Sequence, residues 1–257
     1  MNRRSRWLWI AATLAYAFLY APLIVVVAYS FNDSRLNAEW VGFTFSWYEK
    51  LFHNEKMLRA AWNSLLIGIT ASAVSTVFGT MAAYAMYRFR MRLLPLLILA
   101  PIAIPEILMG VSLLIFFVLL NISLGMVSII LSHIAFCIGF VAIVVRSRLS
   151  GMDESLTEAA RDLGATPWKA FQLVTLPLIM PGVVAGALMA FTLSIDDFVI
   201  TFFTAGVGST TLPLQIYTMV KIAVTPEVNA ISTLLMMLTL ALILIASKLA
   251  PGSLRAQ

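Results

Sequence analysis

Long apolar segments alternate with short polar ones along most of this 257-residue chain. Several of them contain no Asp, Glu, Lys or Arg over about 20 residues, the length that an α-helix needs to cross the hydrocarbon core of a bilayer. One uncharged segment, 107–145, is too long for a single helix, and Asn121, Ser123 and Gly125 divide it. The pattern therefore predicts a single all-α transmembrane domain, 1–257, with six spans at about 7–30, 60–87, 93–120, 126–145, 178–203 and 230–246.

Arginine and lysine positions indicate how these helices are oriented, because cytoplasmic loops of membrane proteins contain more of both residues than outer loops do. With the N-terminus inside, 12 of the 17 basic residues fall in cytoplasmic segments, so both termini are expected to be cytoplasmic. The 12 are Arg3, Arg4, Arg6, Arg88, Arg90, Arg92, Arg146, Arg148, Arg161, Lys169, Lys248 and Arg255.

The first apolar segment has a competing interpretation as a cleavable signal. Three arginines precede it, and it contains the small-x-small sequence Ala15-Tyr16-Ala17. The segment continues through Pro22 to Ser30 without a polar break, which favours a retained helix.

Composition narrows the function classes. Of the residues, 61% are hydrophobic and 11% charged, and the net charge of +5 follows from the basic loops without a nucleic-acid partner. One cysteine and two histidines exclude a zinc finger or a thiolate cluster. His133 and Cys137 lie one turn apart in the fourth span, but two ligands do not complete a metal site, so we expect a hydrogen-bonded histidine and a packed thiol.

Common enzyme motifs are absent from the sequence. It contains no G-x-x-x-x-G-K-[ST] phosphate-binding loop and no G-x-S-x-G or H-E-x-x-H signature. The chain is therefore not expected to be an enzyme, to have catalytic residues, or to bind a metal or cofactor of its own.

The loop between the fourth and fifth spans, 146–177, is amphipathic where its surroundings are apolar. A first short helix is predicted to begin at Asp153 or Ser155, with Ser155 and Glu158 at capping-box spacing, and to end at Gly164. A second is predicted to begin at Thr166, with Pro167 in the first helical position. Such an element is too polar to insert and must lie on the membrane surface or dock to a protein.

Within this loop, Glu158-Ala159-Ala160, three residues, Gly164, nine residues and Val174-Thr175-Leu176-Pro177 resemble the EAA loop of bacterial ABC importer permeases. The family pattern has Ile where this chain has Val174. In that family the first short helix seats in a groove of a separate cytoplasmic ATPase. The resemblance implies that Glu158, Ala159, Ala160 and Gly164 form this contact here. The alternative is an amphipathic helix lying on lipid.

Three further stretches, 190–199, 211–217 and 225–230, look like those of spermidine/putrescine permease subunits, although permeases for iron(III), thiosulfate or opines share parts of them. The resemblance implies a type I ABC importer permease of the bacterial inner membrane that imports polyamines by alternating access. It also implies a second, related permease subunit, an extracytoplasmic binding protein and two ATPase subunits that bind ATP and Mg²⁺. A stand-alone channel or secondary transporter is the alternative from another class, and an intramembrane hydrolase is a more distant one.

Three acids fall inside predicted spans, where ionisable residues are costly and usually face a cavity or a pathway. On straight helices, Glu106 would lie about 20 Å and the pair Asp196 and Asp197 about 27 Å from the inner end. These outer-half positions suit a cation that arrives from outside. Pro101 and Pro105 are expected to kink the third span beside Glu106.

Adjacent helical residues point about 100° apart, so Asp196 and Asp197 are expected to have different roles. Asp197 shares a polar stripe with Ser194, Thr201 and Thr204, and we expect this stripe to line the substrate path. Asp196 shares a more apolar face and is expected to pair with a group on another helix.

Trp47 lies in the first outer loop, where Ser46 and Glu49 have capping-box spacing. Its ring is a candidate for stacking on an ammonium ion, and the interpretation we favour is that it anchors a short helix at the interface. Gly182 and Gly186 form a G-x-x-x-G in the fifth span that predicts close helix packing, with a second permease as one candidate partner.

Overall fold

The computed structural model describes residues 3–34, 39–89, 93–222 and 225–249, and the side chains of residues 7–245 within them. Apart from one antiparallel bridge between Asn32 and Phe43, the described residues contain no β structure. The orientation of the spans remains a prediction. Of the 12 basic residues on which it rests, seven have side chains outside the described ones: Arg3, Arg4, Arg6, Arg90, Arg92, Lys248 and Arg255.

Among the described residues, five helical segments are long and apolar enough to cross a membrane, and a bent pair of helices makes a sixth if its two halves form one span. The all-α class is confirmed, and the five or six candidate spans accord with the six that were expected. In chain order the α-helices are α1 (Arg3–Tyr29), α2 (Ser46–His53), α3 (Glu55–Arg88), α4 (Leu93–Ala103), α5 (Glu106–Leu119), α6 (Met126–Ser150), α7 (Ser155–Asp162), α8 (Pro167–Ala170), α9 (Leu176–Asp196), α10 (Val199–Thr204), α11 (Leu212–Ile222) and α12 (Pro226–Leu249).

The third span, which Pro101 and Pro105 were expected to kink, is interrupted more sharply than a kink. It breaks between α4 and α5, whose axes differ by 106°. Pro105 disfavours a helical conformation for the preceding residue and has no N–H to continue the ladder, which accounts for the break. Glu106 is therefore the first residue of a new helix. The 11 residues of α4 rise about 16 Å before the bend, so the depth estimated from a straight helix does not apply.

The fifth span is longer at its start and shorter at its end than expected. Helical backbone runs without interruption from Pro167 to Asp196, through a π-helical segment at Phe171–Thr175. The wider π turn lies just before Pro177, which has no N–H to donate to the preceding turn. At the other end α9 stops at Asp196, where Asp197 has an extended backbone, and α10 follows as a separate short helix.

The described residues group into two compact units, Met1–Leu58 with Gln215–Leu238, and Arg59–Leu214 with Thr239–Gln257. In the first unit, buried Asn32 organises the loop between α1 and α2. Its amide donates to the Glu39 carbonyl at 2.7 Å and accepts from the Val41 N–H at 2.9 Å. The Phe31 and Phe43 rings stack with their centroids 5.2 Å apart.

In the second unit, α6 lies at the centre of the apolar core, with Val141, Ala142, Val145 and Leu149 fully buried. Glycines allow its neighbours to approach closely, since a Cβ built on Gly79 of α3 would lie 2.6 Å from the Val141 side chain. The G-x-x-x-G of the fifth span packs here too. A Cβ on Gly182 would meet Arg148 at 2.9 Å, and one on Gly186 would meet Val141 at 3.2 Å. Its partner is therefore α6 of the same chain, and the suggestion of a second permease at this motif is wrong.

A loop at 205–211, between α10 and α11, is held from two sides. The Asn63 amide of α3 donates to the carbonyls of Gly208 and Thr210, at 3.2 and 3.0 Å. On the other side, the backbone at Gly206 touches the turn between α5 and α6, so that a Cβ on Gly206 would lie 2.0 Å from the Leu124 carbonyl oxygen.

We therefore predict that Gly206→Ala destabilises the protein by about 1–3 kcal/mol, the usual cost of overpacking, because backbone atoms cannot move aside as a flexible side chain would. The measurement is the midpoint of thermal unfolding in detergent. Gly42→Ala is the control, since nothing lies within 4 Å of a Cβ at that position. Equal midpoints for the two variants would contradict the prediction.

Candidate substrate path and coupling segment

At the break between α9 and α10, the Asp197 carboxylate accepts hydrogen bonds from the start of α10. Oδ1 accepts the N–H of Ile200 at 3.3 Å, and Oδ2 accepts the N–H and the hydroxyl of Thr201, both at 2.8 Å. Asp197 therefore caps the first turn of α10, whose N–H groups have no partner within the helix itself.

His133 of α6 completes this cluster. Its Nε2 lies 3.2 Å from Asp197 Oδ2 and 3.0 Å from Thr201 Oγ1, and its Nδ1 lies 2.7 Å from Ser194 Oγ. The side chains of His133 and Asp197 are only 2% and 5% exposed. We call His133, Ser194, Asp197 and Thr201 the histidine–aspartate cluster. It joins α6, α9 and α10 through buried polar contacts.

The structure reverses the exposure expected for the two adjacent acids. Asp197, the residue expected to line the path, is enclosed by hydrogen-bond donors, and Ser194 beside it is buried as well. The polar stripe of the fifth span therefore faces α6, where Ser128 also donates to the Thr204 carbonyl at 2.8 Å. Asp196 is exposed, and its Oδ1 accepts a long hydrogen bond of 3.4 Å from Thr239 of α12.

Glu106 is exposed at the other break, where it begins α5. The second half of each broken span packs against that of the other. One turn after Glu106, a Cβ on Gly110 of α5 would lie 2.6 Å from the Phe203 ring and 3.4 Å from the Val199 carbonyl oxygen, both on α10. Each break thus has one exposed acid beside it, Glu106 for the third span and Asp196 for the fifth.

Trp47 lies in α2 and is buried. Its Nε1 donates to the Asn32 carbonyl at 2.8 Å, and the Lys50 Nζ lies 4.1 Å from its ring centroid. A cation therefore does lie over the ring, but it belongs to this chain. The capping box expected at Ser46 and Glu49 is absent, because no side chain caps α2.

The loop with the EAA pattern contains the first short helix expected from the sequence, α7. The second, α8, begins at Pro167 as expected but continues without interruption into the fifth span. Gly164 follows the end of α7 and has φ +93, a left-handed conformation that favours glycine. Thr166 caps α8 by accepting the Lys169 N–H at 3.3 Å, with Pro167 in the first turn.

The capping box expected at Ser155 and Glu158 is not formed. The Asp153 carboxylate instead accepts the Ser155 N–H at 3.0 Å, and this hydrogen bond holds the pKa of Asp153 below its ordinary value. The face around the EAA residues is open. Glu158, Ala159 and Gly164 are exposed, and the apolar side chain of Leu163 is 90% exposed.

Among the residues that the structure describes, no three His, Cys, Asp or Glu side chains are grouped as metal ligands. The described residues include two exposed carboxylates beside helix breaks, on Asp196 and Glu106, and the exposed helix α7.

Comparison with known proteins identifies the family. The model of the family described as "Binding-protein-dependent transport system inner membrane component" matches residues 75–250. This chain belongs to that family. It is accordingly a permease component of an ABC importer and a multi-pass membrane protein.

Curated relatives cover nearly the whole chain. The spermidine/putrescine transport system permease protein PotC of Escherichia coli K12 is 44% identical over 92% of this chain and 90% of its own length. The putrescine transport system permease protein PotI of the same strain is 43% identical over 91% of this chain and 86% of its own length.

Solved structures of two permeases share the fold. A bacterial ABC transporter that imports the acidic polysaccharide alginate superimposes with a TM-score of 0.71 at 18% identity, covering 96% of this chain and 98% of that one. The MetNI methionine ABC transporter superimposes with a TM-score of 0.66 at 22% identity, covering 79% of this chain and 100% of that one. The expected ABC importer permease fold is confirmed.

Sequence reasoning missed the role of His133 as the partner of Asp197. A signal for it was present, because Ser128, Ser132 and His133 lie on α6 as a set of polar residues in an otherwise apolar span. The polar residues of α6 and the polar stripe of the fifth span each need hydrogen-bond partners inside the membrane. Taken together, the two sets predict that these spans pack against each other through their polar faces.

We predict that Asp197→Ala costs about 1–3 kcal/mol in the free energy of unfolding, because it leaves the buried N–H of Thr201 without its acceptor and removes one of the partners of His133. Thermal unfolding of the purified permease measures this. Asp196→Ala is the matched control one residue away, and its exposed carboxylate makes one long hydrogen bond, so its midpoint should stay near that of the parent. The prediction fails if the two variants unfold together.

Proposed function

We propose that this chain is a permease subunit of an ATP-driven importer in the bacterial inner membrane, and that it moves polyamines into the cytoplasm by alternating access. The observation that carries the proposal is the 44% identity over 92% of the chain with a spermidine/putrescine permease. Exposed acids beside the helix breaks support it, since a polyamine is a flexible polycation.

Asp196 and Glu106 are our candidates for direct contact with the substrate, because both carboxylates are exposed beside a break in a span. Broken helices expose backbone dipoles and polar side chains where transporters of other folds bind substrate. Asp197 and Ser194 act through the histidine–aspartate cluster, by holding the break in the fifth span. Trp47 anchors α2 against the outer loop.

The partners follow from the proposed assembly. A second, related permease subunit completes the path, an extracytoplasmic binding protein delivers the substrate, and two ATPase subunits bind ATP and Mg²⁺ and dock against α7. This chain supplies no nucleotide site and no catalysis. Its membership in a binding-protein-dependent family disfavours a stand-alone secondary transporter or an intramembrane hydrolase.

The first experiment is ATP-dependent uptake of labelled putrescine and spermidine into proteoliposomes that hold the complete complex. We predict that Asp196→Asn and Glu106→Gln each lower uptake about tenfold, the effect of losing one charged contact with a cation. Glu55→Gln is the control, because Glu55 is also an exposed acid in the first turn of a helix but lies outside both breaks.

Uptake of either amine that falls in both variants and not in the control supports the polyamine path. If the complex hydrolyses ATP and moves neither amine, the substrate class is wrong, and iron(III), thiosulfate and opines are the next to test. If uptake occurs and the variants match the parent, the acids do not contact the substrate.

Docking of the ATPase is tested at Gly164. We predict that Gly164→Ala and Gly164→Asn both weaken capture of the ATPase by the permease, because a side chain there obstructs close approach of the partner. Nothing in this chain lies within 4 Å of a Cβ at Gly164, so an internal clash is not the cause. The left-handed backbone costs Ala about 1–2 kcal/mol but suits Asn, which separates strain from obstruction.

Gly151→Ala is the control for this test, since Gly151 lies in the same loop with an ordinary backbone and 3.8 Å of room to its nearest atom. Normal ATPase capture by the Asn variant would show that only backbone conformation matters at Gly164.

A further inference from the structure

The helix proposed to receive the ATPase, α7, is weakly attached to the rest of the chain. None of its residues is buried. Among the described residues, two side-chain hydrogen bonds tie the segment from Glu154 to Asp162 to other helices. Thr157 Oγ1 lies 3.4 Å from Thr175 Oγ1 of the π-helical segment, and the Tyr87 hydroxyl of α3 donates to Glu154 Oε1 at 2.6 Å.

Glu154 is placed to move together with α7. It is the residue that precedes the helix, and its carbonyl oxygen accepts the N–H groups of Thr157 and Glu158 at 3.0 and 3.1 Å. A displacement of the first turn of α7 therefore displaces Glu154 with it. The hydrogen bond from Tyr87 is short and goes to a carboxylate, the stronger class of hydrogen bond.

Tyr87 lies in the last turn of α3, one of the long spans. One turn earlier, the Tyr84 ring packs on Phe171 of the π-helical segment, with centroids 4.8 Å apart, and Phe171 in turn stacks on Trp168 at 5.6 Å. The end of α3 thus contacts both α7 and the start of the fifth span. A recess of about 190 Å³ lies between these elements, lined by Tyr84, Tyr87, Glu154 and Thr175 among others.

We propose that the Tyr87–Glu154 hydrogen bond transmits the movement of α7 to α3, so that the second span moves with the fifth when the ATPase moves. The fifth span needs no such contact, because α7 leads into it through Gly164 and α8. The second span is far from α7 along the chain and depends on side-chain contacts. Tyr87 and Glu154 are positioning residues in this proposal, which rests on the proposed docking of the ATPase at α7.

The test compares the number of substrate molecules imported per ATP hydrolysed in the complete reconstituted complex. We predict that Tyr87→Phe and Glu154→Ala each lower this ratio about three- to tenfold while ATPase capture and basal hydrolysis stay at the parent level. The double variant should be no worse than either single one, because both remove the same bond. Glu154→Gln keeps a carbonyl acceptor for the Tyr87 hydroxyl and should recover most of the ratio.

Tyr84→Phe is the matched control. It removes a hydroxyl one turn away on the same helix and keeps the ring that packs on Phe171, so its ratio should equal that of the parent. A merely structural role for Tyr87 would lower complex yield and basal hydrolysis together. A parental ratio in Tyr87→Phe, or the same loss in Tyr84→Phe, would overturn the proposal.

Failure of this inference is distinguishable from failure of the proposed substrate. If the parent complex imports neither amine, the same variants are compared by the stimulation of ATP hydrolysis that the extracytoplasmic binding protein produces. Loss of that stimulation in Tyr87→Phe and Glu154→Ala, with Tyr84→Phe unaffected, supports the transmission contact. Unchanged stimulation in both overturns it.

Discussion

A helix that breaks inside a membrane must find partners for the backbone groups that the break releases, because the hydrocarbon offers none. In this permease the constraint is met at Asp197. Its carboxylate receives two backbone N–H groups and a hydroxyl from the first turn of α10, and His133 of α6 lies against the same oxygen. The position of α10, and through it the packing of α5, depends on this cluster.

The cluster also explains why two adjacent acids differ so sharply. The Asp197 carboxylate already accepts three hydrogen bonds and lies against His133, so binding a passing cation would cost it this cap. The break that Asp197 stabilises leaves Asp196 at the end of α9, exposed and with a single long hydrogen bond. A buried acid that supports the backbone and an exposed acid next to it are thus two parts of one arrangement. The break in the third span differs, because it has Pro105 and the exposed Glu106 but no side chain that caps α5.

Local signals predicted much of this architecture. Apolar length predicted the spans, Asn121 marks a real turn with φ 55, and Gly164 and Thr166-Pro167 bound α7 and α8 as their residue types require. The two predicted capping boxes, at Ser46 and Ser155, were wrong. The N–H groups of these serines, which Glu49 and Glu158 were expected to accept, are accepted by Thr44 and Asp153 instead. Spacing alone does not decide between neighbouring acceptors.

Nonlocal packing accounts for what the sequence could not predict. A proline in a span is compatible with a slight kink or a bend of 106°, and the outcome depends on how the two halves pack against other elements, as α5 packs against α10 here. The exposure of Asp196 and Asp197 depends on where His133 lies, 61 residues from Ser194 along the chain. The tie between Tyr87 and Glu154 spans 67 residues.

These long-range polar contacts are of two kinds, which differ in burial. The histidine–aspartate cluster is buried and joins three helices, so it favours one fixed arrangement at the centre of the second unit. The side-chain contacts of α7 and of Glu154 before it with other helices are few and exposed among the described residues. In the proposed function, the ATPase displaces this helix without unfolding the buried core. In the proposed transmission, the Tyr87–Glu154 hydrogen bond carries that displacement to α3.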